Sequence, residues 1–163
     1  MPSMSAHVVL GIDPGYDRVG WCIARGGGKI FEIIESGQIQ TSKTQSVMDR
    51  YRQIQREIAQ VIEKHHPEAC AIESIYFSVS AKTAIRVAEA KGVILGVLAQ
   101  HSEIEICEYS PPEIKLAVTG NGSATKKEIE KMLHILTNPI KLPKLDDELD
   151  AIAIAYTHVM RLR

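Results

Sequence analysis

Apolar and polar positions along the chain alternate between a period of two and a period near 3.6, and the switches between them mark out its elements. Val8-Val9-Leu10-Gly11-Ile12 is an aliphatic run that suits a buried strand. Pro14 and Gly15 end it, because proline lacks a ladder donor and glycine permits a tight turn. Residues 19–25 and 29–39 carry two more strands, the second through Ile30, Phe31, Ile33, Ile34 and Ile39, and Gly26-Gly27-Gly28 reads as the hairpin loop between them. Three strands at hairpin spacing predict an antiparallel meander. Val47, Tyr51, Ile54, Ile58, Val61 and Ile62 then recur at three- and four-residue steps, which predicts a helix over 47–64 with one core-facing stripe. Ser46, with Asp49 three residues on, supplies its N-cap, and His65-His66-Pro67 closes it, the histidines complementing the helix dipole.

A short fourth strand over 69–74 runs up to Glu73, and a long helix is expected over 80–100. The second half of that helix, 92–99, is apolar all round, which predicts burial on more than one side, in the core or against a second subunit. Residues 104–109 alternate and predict a fifth strand with one wetter face. Ser110-Pro111-Pro112-Glu113 reads as a capping box with proline at the first helical position, opening a helix to 118. Thr125 and Glu128 form a second box for a helix to 136, and Asp146-Asp147-Glu148-Leu149-Asp150 opens a last helix with a mostly apolar body over 151–160. The order βββαβαβααα predicts an α/β domain with a mixed sheet.

Composition narrows this further. A chain of 163 residues, 45% hydrophobic and 24% charged, suits one globular domain over 1–163. No apolar run approaches the roughly 20 residues of a bilayer span, and residues 1–6 lack a basic start and an apolar signal core, so a cytoplasmic protein without a membrane role is expected. Cys22, Cys70 and Cys107 sit far apart in strand-like runs, which reads as reduced core thiols rather than disulfides or a zinc site. The net charge of −1 does not advertise a nucleic-acid binder. With the clustered acids set aside, however, the rest of the chain is net positive, and bound divalent cations would invert the sign of the acidic site.

Those acids carry the candidate chemistry. Asp13 closes the first strand and Glu73 the fourth, places where a charge is costly unless it is paired. On the last helix Asp147 and Asp150 are three apart and Asp146 and Asp150 four apart, so either pair shares a face. Hard oxygen donors without a His/Cys pattern suit Mg²⁺ or Mn²⁺ rather than zinc. Two such ions roughly 4 Å apart activate water and stabilise the leaving oxygen of a phosphodiester.

Gly11-Ile12-Asp13-Pro14-Gly15, Ala71-Ile72-Glu73 followed by Tyr76, and Asp147-Glu148-Leu149-Asp150-Ala151-Ile152-Ala153 occur in an order and at separations that resemble the RuvC family of bacterial Holliday-junction resolvases. The resemblance spans about residues 7–158. It implies a ribonuclease-H-like fold with a mixed five-stranded sheet flanked by helices, and Asp13, Glu73, Asp147 and Asp150 as the catalytic acids that bind two Mg²⁺ ions, Mn²⁺ being a substitute. The family's Asp-x-x-Asp-Ala pattern selects Asp147 over Asp146. By the same resemblance Lys115 and Lys126 support DNA binding, and Tyr76 takes the position of an aromatic that stacks on bases, with Phe77 beside it as a rival. Lys127 is a further basic candidate near the Gly120–Gly122 turn, whose backbone suits phosphate. Lys82 and Arg86, four apart, share a helix face that suits a phosphate strand.

These expectations describe a homodimeric, metal-dependent endonuclease that nicks two opposed strands of a four-way DNA junction in recombination and repair. One acid cluster cuts one strand, so two clusters related by a two-fold axis are needed. The branch-migration proteins RuvA and RuvB are partners by resemblance alone. Three alternatives stand beside this reading: a related ribonuclease-H-like nuclease of the YqgF type acting on RNA, an actin-like ATPase or sugar kinase, whose two lobes need about twice this chain by family resemblance, and a junction-binding protein without catalysis.

Overall fold

The computed structural model describes residues 6–75, 80–137 and 141–162. Its elements run β1 (His7–Asp13), β2 (Arg18–Gly27), β3 (Ile30–Gln40), α1 (Val47–His65), β4 (Ala69–Glu73), α2 (Ala81–Leu98), β5 (Glu105–Tyr109), α3 (Pro111–Thr119), α4 (Lys126–Leu136) and α5 (Asp146–Val159). The strands form one sheet in the order β3-β2-β1-β4-β5. The first three are the expected antiparallel meander, while β4 and β5 join parallel to β1, so the sheet is mixed. No helix among the described residues is long and apolar enough to cross a membrane.

The two faces of the sheet are built from side chains of different size, and that difference sets the architecture. Leu10, Ile12, Ile23, Cys70 and Ile72 point to one face and pack on α1 and α2 through Ile54, Ile58, Ile94 and Leu98. Val9, Cys22, Ala24, Ala69 and Ala71 point to the other, against Ala151, Ala153, Ala155 and Val159 of α5, with α3 and α4 behind it. Bulky residues hold α1 and α2 at ordinary packing distance, whereas small ones let α5 lie close on the strands. At the limit, a Cβ on Gly11 would stand 2.5 Å from the Ala151 carbonyl oxygen.

One local expectation is corrected. Gly26 and Gly27 belong to β2, paired with Phe31 and Ile30, and the turn is confined to Gly28-Lys29, where Gly28 has φ 63°. Gly26 is needed inside the strand because a Cβ there would reach within 2.0 Å of the Ile30 carbonyl oxygen. Within the single chain Ile94, Val97 and Leu98 of the 92–99 segment are buried while Gly92, Gly96 and Ala99 are exposed, so of the two expected settings the segment is not enclosed on all sides by its own core. Caps fall where they were expected. Asp49 N–H donates to Ser46 Oγ, and the backbone N–H of Ser110 and of Thr125 donates to Glu113 and Glu128 respectively. His65 meets Glu35 at 2.6 Å, which gives that histidine a local partner at the helix end.

Candidate acidic active site

Alternation along the central strands decides which side chains meet. Val9 and Gly11 face α5 from β1, so Asp13, the next residue of that parity, faces it too; Ala69 and Ala71 do the same for Glu73 on β4. The parallel register pairs Ile12 with Ile72, so the two carboxylates leave neighbouring strand ends side by side. Across the antiparallel ladder Asp13 is paired with Gly20. A Cβ at Gly20 would lie 1.7 Å from the Asp147 carbonyl oxygen, so the bare glycine is what lets the first turn of α5 rest on the sheet beside Asp13. Asp147 and Asp150 then share the helix face that begins there. Three acids in that first turn are also favoured by the helix dipole.

Gathering these groups is electrostatically unfavourable. Burial, then the charges of Asp150, Glu73 and Asp147, hold the Asp13 carboxyl well above the usual range. Burial and then Asp150 push Glu73 up to about 7, and burial raises Asp150 against the pull of Lys126. Two protein cations stand at the rim. Lys126 Nζ is 3.1 Å from Asp150 Oδ2 and 3.6 Å from Asp146 Oδ2, and Arg18 Nε is 3.0 Å from Asp147 Oδ2. Among the described residues no three metal-ligating side chains are gathered into a coordination group. The donor set nonetheless fits a hard divalent cation: buried carboxylates in excess of basic partners, with oxygen ligands only.

The basic candidates distribute unevenly around this cluster. Lys115 on α3 lines a groove of about 520 Å³ together with Glu73, Pro14, Pro111 and Pro112. A smaller hollow of about 130 Å³ joins Glu73 and Asp150 to Lys115 and Lys126. Lys127 is exposed beside Lys126 and lines neither. Lys82 is exposed on α2, one turn before Arg86, whose guanidinium is paired with Glu89 at 2.8 Å and stands 5.7 Å over the Tyr16 ring. Tyr76 and Phe77 lie outside the described residues.

With this geometry in place, the family described as crossover junction endodeoxyribonuclease RuvC matches residues 9–158. The chain belongs to the RuvC family. It is 40% identical to the RuvC of Pseudothermotoga lettingae over 93% of each chain, and 42% identical to that of Petrotoga mobilis over 93% of this chain and 92% of the relative. Among solved structures, T. thermophilus RuvC in complex with Holliday junction substrate superposes with a TM-score of 0.86 at 28% identity, covering 93% of this chain and 92% of that one. The yeast mitochondrial Holliday junction resolvase Ydc2, at 16% identity and TM-score 0.65, covers 98% of this chain and 82% of its own, and shares the fold.

Three contributors to this RuvC-family site carried no signal that was read from the sequence. Gly20 was one of several glycines in a strand, and its meaning comes from its pairing with Asp13. Arg18 sits at the end of the turn that leaves Asp13 and engages Asp147. Arg50, buried in α1, clamps that turn: its Nε donates to Thr41 Oγ1 at 2.8 Å and its Nη2 to the Tyr16 carbonyl at 3.3 Å and to the Asp17 carboxylate. The guanidinium also stacks 3.6 Å over the Tyr16 ring. An arginine at the fourth position of an amphipathic helix gives no hint of this from sequence.

Proposed function

We propose that this chain is a structure-selective endodeoxyribonuclease that binds four-way DNA junctions and nicks two opposed strands symmetrically, leaving ends that a ligase can seal. The observation that supports the reading is the placing of Asp13 and Glu73 on neighbouring strand ends beside the first turn of α5, which carries Asp147 and Asp150, in a chain that matches the RuvC family over nearly its whole length. Asp13 and Glu73 would hold one Mg²⁺, and Asp13, Asp147 and Asp150 a second, with Mn²⁺ as a substitute. When bound, such ions activate water and stabilise the leaving oxygen of a phosphodiester.

The chain's own groups prepare that chemistry. Asp13 and Glu73 offer carboxylate oxygens from fixed strand ends, so little rearrangement is required of the backbone. Lys115 and Lys126 on one flank, with Lys127 beyond them, meet phosphate oxygens and hold the strand over the acids. Lys82 and Arg86 track the strand along α2, and Tyr76 or Phe77 stacks on bases near the crossover. The exposed stripe of Gly92, Gly96 and Ala99 on α2 is the surface on which two copies would pack, giving two cutting centres related by a two-fold axis. RuvA and RuvB are the partners expected of a cytoplasmic member of this family.

The direct test is Asp13→Asn. Junction cleavage is expected to fall more than about a hundredfold, since loss of even an outer-sphere partner of a metal commonly costs ten- to a hundredfold, while junction binding by gel shift is retained. Loss of binding together with cleavage would show that Asp13 acts structurally.

A further inference from the structure

Arg18 is engaged with the acids yet has no role in the account above. It opens β2, and its Nε lies 3.0 Å from Asp147 Oδ2. That oxygen is buried and accepts no hydrogen bond, so the guanidinium supplies its compensation. The nearer carboxylate in sequence, Asp17, is paired with Arg50.

We infer that Arg18 is a resident counter-ion on the Asp147 side of the site, displaced when a divalent cation binds, and that it thereby sets how tightly the site holds its ion. The inference rests on the reading of Asp147 as a metal ligand. Affinity for a hard cation rises with the net negative charge of its ligands, and a guanidinium in contact with one of them cancels part of that charge. The pair is also easily broken. The Arg18 side chain is 55% exposed, and an ion pair with one exposed partner contributes little. On its other side a groove of about 660 Å³, lined by Asp17, Gln40, Ser42 and Lys43, lets the side chain swing away without repacking the core. Lys126 differs, because it spans two acids, Asp146 and Asp150, and faces the DNA-binding flank. Arg18 therefore moderates a cluster that would otherwise hold its ion more strongly.

Mn²⁺ titration followed by the electron paramagnetic resonance of the free ion reads affinity without any turnover. It is to be run on the wild-type chain, Arg18→Ala, Asp147→Asn and the double variant, with thermal melts to verify folding. Arg18→Ala is expected to bind Mn²⁺ about two- to fivefold more tightly, the upper range of a half-exposed ion pair. Asp147→Asn is expected to bind it more weakly, and adding Arg18→Ala to Asp147→Asn to change nothing further. Unchanged or weaker binding by Arg18→Ala, with Asp147→Asn weakened, would overturn the role of Arg18 and leave the ligand reading intact. Tightening by Arg18→Ala that persists in the Asp147→Asn background would also overturn it, because the effect would then not run through Asp147. Wild-type affinity in Asp147→Asn would overturn the ligand reading itself, and the inference with it.

Discussion

Burial raises the carboxyls of Asp13 and Glu73, helped by the charge of Asp150 on both and of Glu73 and Asp147 on Asp13, and this gives the metal-free protein a definite pH dependence. The carboxyl of Glu73 has an ordinary value of 4.5 and is pushed up to about 7, so across that interval the folded state binds more protons than the unfolded one. Stability therefore falls as pH rises from about 4.5 to about 7 and is level above it. Asp13 shifts in the same direction. The capping and paired carboxylates Asp49, Glu113 and Glu128 are held low, chiefly by hydrogen bonds, so their contribution is lost as pH falls below the usual carboxylate range. The melting temperature measured in chelator should thus peak in the weakly acidic range and decline toward pH 8. A flat profile from pH 5 to 8 would contradict the gathering of the acids. Added Mg²⁺ should raise the melting temperature at pH 8 and have less effect at pH 5, where Glu73 carries its proton. Asp13→Asn should melt higher than wild type in chelator at pH 8 and lose most of the Mg²⁺ response, the expected trade of stability for function at a site of crowded charge.

At the scale of elements, the decisive contact is α5 on β1 and β2. Gly20→Ala inserts a Cβ into the space held by the Asp147 backbone. Overpacking of this kind costs about 1–3 kcal/mol, so the melting temperature should fall by roughly 2–12 °C for a chain of this size, and Mn²⁺ affinity should fall with it because Asp147 is carried on the displaced turn. Wild-type stability and affinity in Gly20→Ala would show that α5 has freedom to move. This contact also shows what the sequence made legible. The strands, helices and caps were readable from periodicity and turn chemistry, and Asp13, Glu73, Asp147 and Asp150 stood out as acids at element ends. The alternation of Gly11, Ala69 and Ala71 with Leu10, Ile12 and Ile72, which sets how close α5 lies on the faces that bear Asp13 and Glu73, gained its meaning only from the packing. Arg18 and Gly20 could not be read from sequence either, because their roles depend on the cross-strand register and on where α5 begins.

For the whole molecule, the exposed glycine stripe of α2 separates two possibilities with opposite outcomes. Nothing lies within 4 Å of a Cβ built on Gly92 or Gly96. In a lone protomer Gly92→Ala should therefore be stabilising by about 1 kcal/mol, through helix propensity alone. In a dimer packed through this face, Gly96→Glu should shift the mass measured by analytical ultracentrifugation toward the monomer. Such a variant should nick one strand of a junction without the paired second cut. Retention of the dimer in Gly96→Glu would place the two-fold contact elsewhere on the surface.

The most direct measurement of the central claim is to incubate the purified chain with Mg²⁺ and three end-labelled substrates: a four-way DNA junction, a linear duplex of the same sequence and an RNA hairpin. The account predicts paired nicks at symmetric positions on two opposed strands of the junction and intact duplex and RNA. An intact junction beside cleaved RNA, or a junction that is bound but uncut with Mg²⁺ and with Mn²⁺, would contradict it.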